Sequence, residues 1–451
     1  MRIDKQRELI TEGPISKALL SFFFPILFGT FFQQLYNTVD AVIVGRYLGK
    51  AALAAVGGGT GIIINLLIGF FLGLGSGASV VIAQRYGSGN IERTRKAIHT
   101  AVALSLTGGI AISILGYVFA DFSLRLIGTP EEIMGMASTY MHIFFAGAIT
   151  LVIYNMGSGI FRALGDSNHP LYFLITSCLV NIVLDFVFVG FLQMGVAGAA
   201  LATILSQSIS MVLTIVYLMK LDSSVRLSVK EIGFDRRELL AILRLGVPTG
   251  IQTSLYTISN LLIQSGVNAL GTDSAAAWAA YSKIDAFYWM INTAFGISIT
   301  TFVGQNYGAG NMARIKRGMW TCALMAALVT AVVEFSFLIF GSSLMGFFTE
   351  DRNVIDIGIG IIREIVPFFF IYIPIEMLSG VIKGCGRVFV STVLTLSGVC
   401  LLRFVWMFTG VKIWPGIASI MFCYPLTWTV TALLFMVYYF RGHWMPKEFH
   451  V

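Results

Sequence analysis

The sequence predicts an all-α integral membrane protein: twelve transmembrane helices in two six-helix lobes, related by a pseudo-twofold along the membrane normal. Three observations carry this. Mean hydropathy is +0.83 and only 12% of residues are charged, where soluble domains carry about 25%. The 451 residues divide into a dozen apolar segments, each near the roughly 20 residues that a helix needs to cross a bilayer. The chain also repeats itself.

The segments lie at 18–44, 51–82, 96–120, 134–160, 169–190, 195–219, 240–268, 275–302, 317–346, 356–382, 389–411 and 415–440. Basic residues sort by loop. Arg85, Arg93, Arg95 and Lys96 fall between spans 2 and 3, and Lys220, Arg226, Lys230, Arg236, Arg237 and Arg244 around the 6–7 connection. Arg314, Lys316 and Arg317 follow span 8, and Lys383 and Arg387 follow span 10. Both termini share that side and are basic too, with Arg2, Lys5, Arg7, Arg441 and Lys447. The opposite loops favour acids such as Glu131, Glu132, Asp273 and Asp351. The positive-inside rule then puts both termini in the cytoplasm, which an even span count requires. The net charge of +7 is therefore an orientation signal, and no nucleic-acid partner is expected. Five cysteines in or beside apolar spans, without metal-ligand spacing, read as small buried hydrophobes. The expected location is the plasma membrane.

The repeat is clearest in two loops. Ile82–Thr100 and Val303–Thr321 share Gln84/Gln305, Tyr86/Tyr307, Gly87/Gly308, Gly89/Gly310, Asn90/Asn311, Arg93/Arg314 and Thr100/Thr321 at one constant offset. The same offset pairs Ser158-Gly159 with Ser379-Gly380 and Gly165 with Gly386. Gly87 and Gly89 are expected to supply unusual backbone angles, and Asn90 a helix N-cap. Each copy holds six spans, so the copies keep the same orientation and enclose a substrate space. The expected division is residues 1–220, a cytoplasmic linker at 221–238, and 239–451.

The polar residues follow span by span. Span 1 carries Gln33, Tyr36, Asn37 and Asp40 at i, i+3, i+4, i+7, on one helical face. An intramembrane carboxylate is expensive and normally faces a protein interior or a water-filled cavity. Pro25, earlier in that helix, is a candidate hinge. Gly73, Gly75 and Gly77 in span 2 read as a close-packing surface. Span 4 carries Asn155, and span 5 carries Asn181 and Asp185 one turn apart. Span 6 carries Thr203 and Gln207. Spans 1 and 5 run outward and span 6 starts outside, so Asp40, Asp185 and Thr203 fall at similar depth. That oxygen-rich set suits a proton or a hard cation such as Na⁺. A buried structural acid, bonded to a span-end amide or paired with Arg46, is the competing reading of Asp40. The second copy lacks the set: Leu402, Trp406 and Tyr424 stand opposite Asn181, Asp185 and Thr203. Its own candidates are Gln252 and Tyr256 in span 7, Lys283 and Asp285 in span 8, Glu376 in span 10 and Arg403 in span 11. The acids could hold cationic cargo with Lys283 or Arg403 as counter-ions, or all four could form structural salt bridges.

These motifs resemble those of the multidrug and toxic compound extrusion (MATE) transporters. They are the proline-containing first helix leading to Val39–Gly45, the twin Gln-x-Tyr-Gly-x-Gly-Asn loops, Ser158–Asp166, and Gly195–Thr203. Within that family the chain is similar to the DinF-like branch. The resemblance implies two six-helix bundles around a V-shaped cavity. It also implies a cation site in the amino-terminal lobe at Asp40, Asn181, Asp185 and Thr203, with Tyr36 and Asn155 lining it. A glutamate that a related branch carries in helix 7 is absent here.

The expected function is secondary active efflux of small organic, amphipathic or cationic solutes, driven by entry of H⁺ or Na⁺. The ion is cargo, no cofactor is expected, and the working unit is a monomer in the lipid bilayer. A lipid-linked oligosaccharide flippase of the same superfamily is the alternative, though it calls for more cavity Arg or Lys. An enzyme or a channel fits less well: no acid or His cluster marks a membrane face, and one chain already encloses its cavity.

Overall fold

The computed structural model describes residues 3–221, 224–442 and 444; Arg2 and Lys447, counted above among the terminal basic residues, lie outside them. Every regular element among the described residues is helical. A short α1 (Ile3–Thr11) precedes α2 (Ile15–Gly57), α3 (Gly59–Gly87), α4 (Ile91–Leu126), α5 (Glu131–Ala146) and α6 (Ala148–Ala163). Next come α7 (Asn168–Asp185), which runs on into a π-helical turn at Phe186–Phe191, α8 (Gly195–Lys220) and α9 (Arg236–Asn268). The remainder is α10 (Thr272–Gly308), α11 (Met312–Gly346), α12 (Arg352–Ile365), α13 (Phe369–Gly384), α14 (Val388–Thr395), a second π turn at Leu396–Leu401, α15 (Leu402–Ile413) and α16 (Ile417–Phe440).

Among the described residues, ten helices are long and apolar enough to span a membrane, and the α5–α6 pair, bent by 50°, makes eleven. Span 4 bends where α5 ends at Gly147, a position at which a Cβ would meet the Ile204 side chain of α8 at 2.2 Å. Span 10 breaks at Val366–Phe368, around Pro367, which cannot donate to a preceding turn. The twelfth expected span is α9, a 33-residue helix that is too polar to join the other eleven. Gln252, Thr253, Ser254, Thr257, Ser259, Asn260 and Gln264 all lie within it. Span 1 also runs further than expected. Helix α2 reaches Gly57, with one non-helical residue inside, Gly49 (φ 85°), and stays helical through Pro25.

The repeated loops adopt the same turn. Gly89 and Gly310 have φ of +73° and +75°, a left-handed conformation that only glycine takes at little cost. Asn90 caps α4, its side chain accepting from the Arg93 N–H at 3.0 Å. Gly87 departs from expectation: it ends α3 in helical geometry, and only the second glycine of the pair carries a positive φ.

Contacts divide the chain into two compact units. The first holds residues up to Glu12 together with Phe24–Ser254; the second holds Gly13–Phe23 and everything from Leu255 onward. The linker and the first half of α9 thus group with the first repeat, for reasons the side chains make plain. Glu238, 1% exposed, accepts from Arg85 at 3.1 Å and faces Arg93 at 3.9 Å. The Ser228 N–H donates to His99 Nε2 at 3.0 Å, and the Asp235 N–H to Thr100 Oγ1 at 3.1 Å. Helices α3 and α9 touch backbone to backbone: a Cβ on Gly73 would meet Gly250 at 2.2 Å, and one on Gly77 would meet Gly246 at 2.4 Å. The span 2 glycines are therefore a close-packing surface. The core of the first unit gathers Ile43, Val44, Ile112, Met141, Phe145 and Val189.

Candidate ion site

Three helices of the first unit bring the predicted residues together. Helix α2 supplies Asp40, 8% exposed, with Tyr36 half-buried one turn earlier. Gln33 and Asn37, on the same stripe, are exposed. Helix α7 supplies Asn181 and Asp185, both buried. Asp185 immediately precedes the π turn, where the Leu192 N–H reaches back five residues to the Val187 carbonyl at 2.8 Å. Single π turns recur at functional positions because they re-aim side chains out of the α register. Helix α8 supplies buried Thr203 and Gln207 and is tied to α7 by Ser210, which donates to the Phe173 carbonyl at 3.1 Å.

The electrostatics of the cluster are unusual. Asp40 and Asp185 are direct neighbours, and both act on the phenols of Tyr36 and Tyr140. Both polar atoms of Asn181 are buried without a hydrogen-bond partner, and the buried oxygens of Asp40, Asp185, Thr203 and Gln207 have only each other and the phenols of Tyr36 and Tyr140 for company. Buried polar groups normally find partners, since an unmade bond forfeits their hydration. No Lys or Arg lies within 4 Å of either acid among the described residues, so Arg46 does not pair with Asp40. Two adjacent carboxylates in such surroundings are not both ionised unless a cation joins them. The donor set fits that cargo: two carboxylates, an amide carbonyl and a hydroxyl offer hard oxygen ligands to a bare cation, or one proton can be shared.

Asn155 is half-buried on α6, and its amide donates to the Leu151 carbonyl of its own helix at 2.8 Å. Tyr140 of α5 adjoins the cluster and is not among the candidates named from the sequence. It is buried beside Asp40, Asp185 and Thr203. Its signal was depth: it lies two to three turns into a span that begins outside, the level at which Asp40 was placed.

The second unit holds its charges differently. Asp285 accepts from Trp289 Nε1 at 2.6 Å and from Tyr281 Oη at 3.3 Å. Glu376 is half-buried against Gly296, where a Cβ would meet its Oε1 at 1.7 Å, and feels the charge of Lys383. Lys283 is exposed. Arg403 is 1% exposed and donates to Asn260 Oδ1 at 2.8 Å. Its guanidinium lies over the rings of Tyr424 and Tyr256, at 4.6 and 5.4 Å from their centroids. Neither Lys283 nor Arg403 forms an ion pair with an acid among the described residues. Gln252 is half-buried on the part of α9 that groups with the first unit.

A family model described as MatE matches the chain twice, over residues 25–187 and 248–409. The chain belongs to the MATE family. The two matches follow the two sequence copies, so the internal duplication is a family property. The chain is 30% identical over 441 residues to "Probable multidrug resistance protein YpnP" of Bacillus subtilis (strain 168), covering 97% of this chain and 98% of that one. It is 27% identical over 469 residues to "Probable multidrug resistance protein YoeA" of the same organism, covering 98% of each. Among solved structures it is similar to the outward-facing conformation of a multidrug resistance MATE family transporter of the MOP superfamily. That match has a TM-score of 0.91 at 25% identity and covers 97% of this chain and 98% of the other. The all-helical MATE fold and a multi-pass membrane location follow for this chain. As a MATE protein it is a transporter, and the oxygen cluster lies on the first, fifth and sixth spans of its first repeat.

Proposed function

We propose that this chain is a secondary active antiporter that exports organic solutes, amphipathic or cationic, while H⁺ or Na⁺ enters through the cluster of Asp40, Asn181, Asp185 and Thr203. The observation that carries the reading is the set of buried oxygens around two adjacent carboxylates that have no Lys or Arg within 4 Å among the described residues. Such a set is costly in hydrocarbon surroundings and is retained where charge must be taken up and given back. The relatives' names, which speak of multidrug resistance, supply the cargo class. Asp40 and Asp185 load the ion from outside, and loading neutralises the pair. Coupling requires that ion and solute favour different states of one two-state machine. Pro25 is the hinge we assign, because α2 passes from the second compact unit to the first between Phe23 and Phe24. The chain works as a monomer in the plasma membrane with both termini in the cytoplasm, as the basic loops direct.

The test is efflux from proteoliposomes under an imposed ion gradient, with H⁺ and Na⁺ gradients applied separately. Asp40→Asn and Asp185→Asn should each reduce gradient-driven efflux to the rate of empty vesicles. Parental transport in both variants would sink the assignment, and the gradient that drives the parent names the ion.

A further inference from the structure

The second repeat carries a site of opposite sign on the equivalent helices. Tyr256 lies on α9, Arg403 on α15 and Tyr424 on α16, the first, fifth and sixth spans of that repeat. Tyr424 stands at the position corresponding to Thr203. Arg403 is fully charged at any physiological pH, 1% exposed, and has no carboxylate within 4 Å among the described residues. Two tyrosine faces and one amide oxygen compensate it only in part. What remains around it donates. Arg403 Nε is buried without a hydrogen-bond partner, and the buried hydroxyls of Tyr256 and Ser259 beside it have only the weak neighbours Tyr372 and Cys400. Tyr256, Ser259 and Asn260 share one face of α9 at i, i+3, i+4. Asn260 is exposed and Tyr256 half-buried, so that face gives access from outside the core.

We infer that the Arg403 cluster is an anion-binding site that takes the carboxylate of a transported organic solute. A guanidinium fork matches a carboxylate in plane and charge, and two hydroxyls can donate to the same oxygens. Asp285, an acid of the same unit, is occupied by Trp289 and Tyr281, which donate to it. Solutes that carry a carboxylate beside a cationic or aromatic body are therefore favoured cargo. The identity of the ligand as cargo rests on the transport reading above, whereas its binding does not. Measured without any ion gradient, binding stands or falls apart from coupling.

The experiment uses purified full-length protein in lipid nanodiscs and two dyes that differ in one group. Rhodamine 110 has a free carboxyl, and rhodamine 123 is its methyl ester. Fluorescence anisotropy should give the acid an affinity about tenfold above the ester. Arg403→Gln should bring that ratio close to one, with the ester's affinity changed by less than about twofold. Asn260→Asp, which sets an internal carboxylate beside the guanidinium, should do the same while keeping the fold intact. It decides the matter alone if Arg403→Gln does not fold. In a chloride-free sulfate buffer, added chloride that weakens only the acid dye competes for these donors and supports the site. Chloride binding with no preference between the dyes assigns the site to a halide and overturns the carboxylate reading. A full acid preference retained in folded variants makes Arg403 a structural cation and overturns the inference.

Discussion

The two repeats use the same three helices to hold opposite charge, and they satisfy it differently. In the first, Asp40 and Asp185 adjoin each other among neutral polar groups, with no Lys or Arg within 4 Å among the described residues. In the second, Arg403 is braced by two aromatic faces and an amide, with no carboxylate within 4 Å among the described residues. Two buried carboxylates side by side do not both stay charged without a counter-ion, whereas the arginine is partly compensated at rest and contributes to the fold. One duplicated scaffold thus holds paired acids in one copy and a fixed cation in the other.

The sharpest way to break this comparison is to neutralise one acid in each unit. Asp185→Asn should abolish ion-driven efflux, while Asp285→Asn should leave the driving ion unchanged and alter the rate by less than about threefold. Asp285 is bonded to Trp289 and Tyr281, and an amide can keep accepting one of those bonds. Efflux assays under matched gradients check both. Loss of coupling in Asp285→Asn would show that the two units share the ion.

Stability should separate the units in the opposite sense. Arg403→Ala removes two cation–π contacts and a charged hydrogen bond and leaves Asn260 Oδ1 without its donor, a loss of about 2–4 kcal/mol. Asp40→Asn or Asp185→Asn removes the need to hold a proton between two acids and sets an amide that can donate to the remaining carboxylate, a gain of about 1 kcal/mol. Thermal unfolding in nanodiscs, without Na⁺ and near neutral pH, reads both signs. A destabilised Asp185→Asn would mean that the acids are structural. A smaller effect is expected at Tyr140. Losing its hydroxyl in Tyr140→Phe should shift the ion concentration for half-maximal efflux by several-fold, roughly the value of one hydrogen bond to a charged group, without changing the maximal rate.

Much of this was legible before any coordinates. Charged and amide residues in apolar spans stand out because hydrocarbon penalises them, and their spacing gives face and depth. That is why Asp40, Asn181, Asp185 and Thr203 could be named. Tyr140 was not, because a phenol in an aromatic-rich span looks like packing until its neighbours are known. The partners of Arg403 were out of reach for the same reason. Arg403 read as a counter-ion for Asp285 or Glu376, whereas its companions are two tyrosines among the 16 in the chain. The bend at Gly147 lies against Ile204, a contact between residues far apart in sequence. The grouping of α9's first half with the first unit depends on glycine contacts and on Glu238. Residue type alone encodes neither.

A carboxylate outside both interiors sets the scale for the smallest effect. Asp235 precedes α9 and accepts from the backbone N–H groups of Glu238 at 3.1 Å and Arg237 at 2.9 Å. Those bonds, the one from Glu238 foremost, hold its carboxyl below the usual carboxylate range, with Lys96 and Arg237 nearby adding to the effect. A carboxyl whose folded value lies below its unfolded value stabilises the fold at pH above the unfolded value, about 4. That contribution fades as pH falls through the folded value. Asp235→Ala should therefore lower stability by about 1 kcal/mol or less near neutrality, the worth of an exposed helix cap. Asp235→Asn, which still accepts from the same N–H groups, should lose less. The gap between the alanine variant and the parent should close on acidification below about pH 4. Thermal unfolding of the three proteins across pH measures this. A gap as large as that of Arg403→Ala would mean that the linker's attachment, more than the interior charges, holds α9 to the first unit.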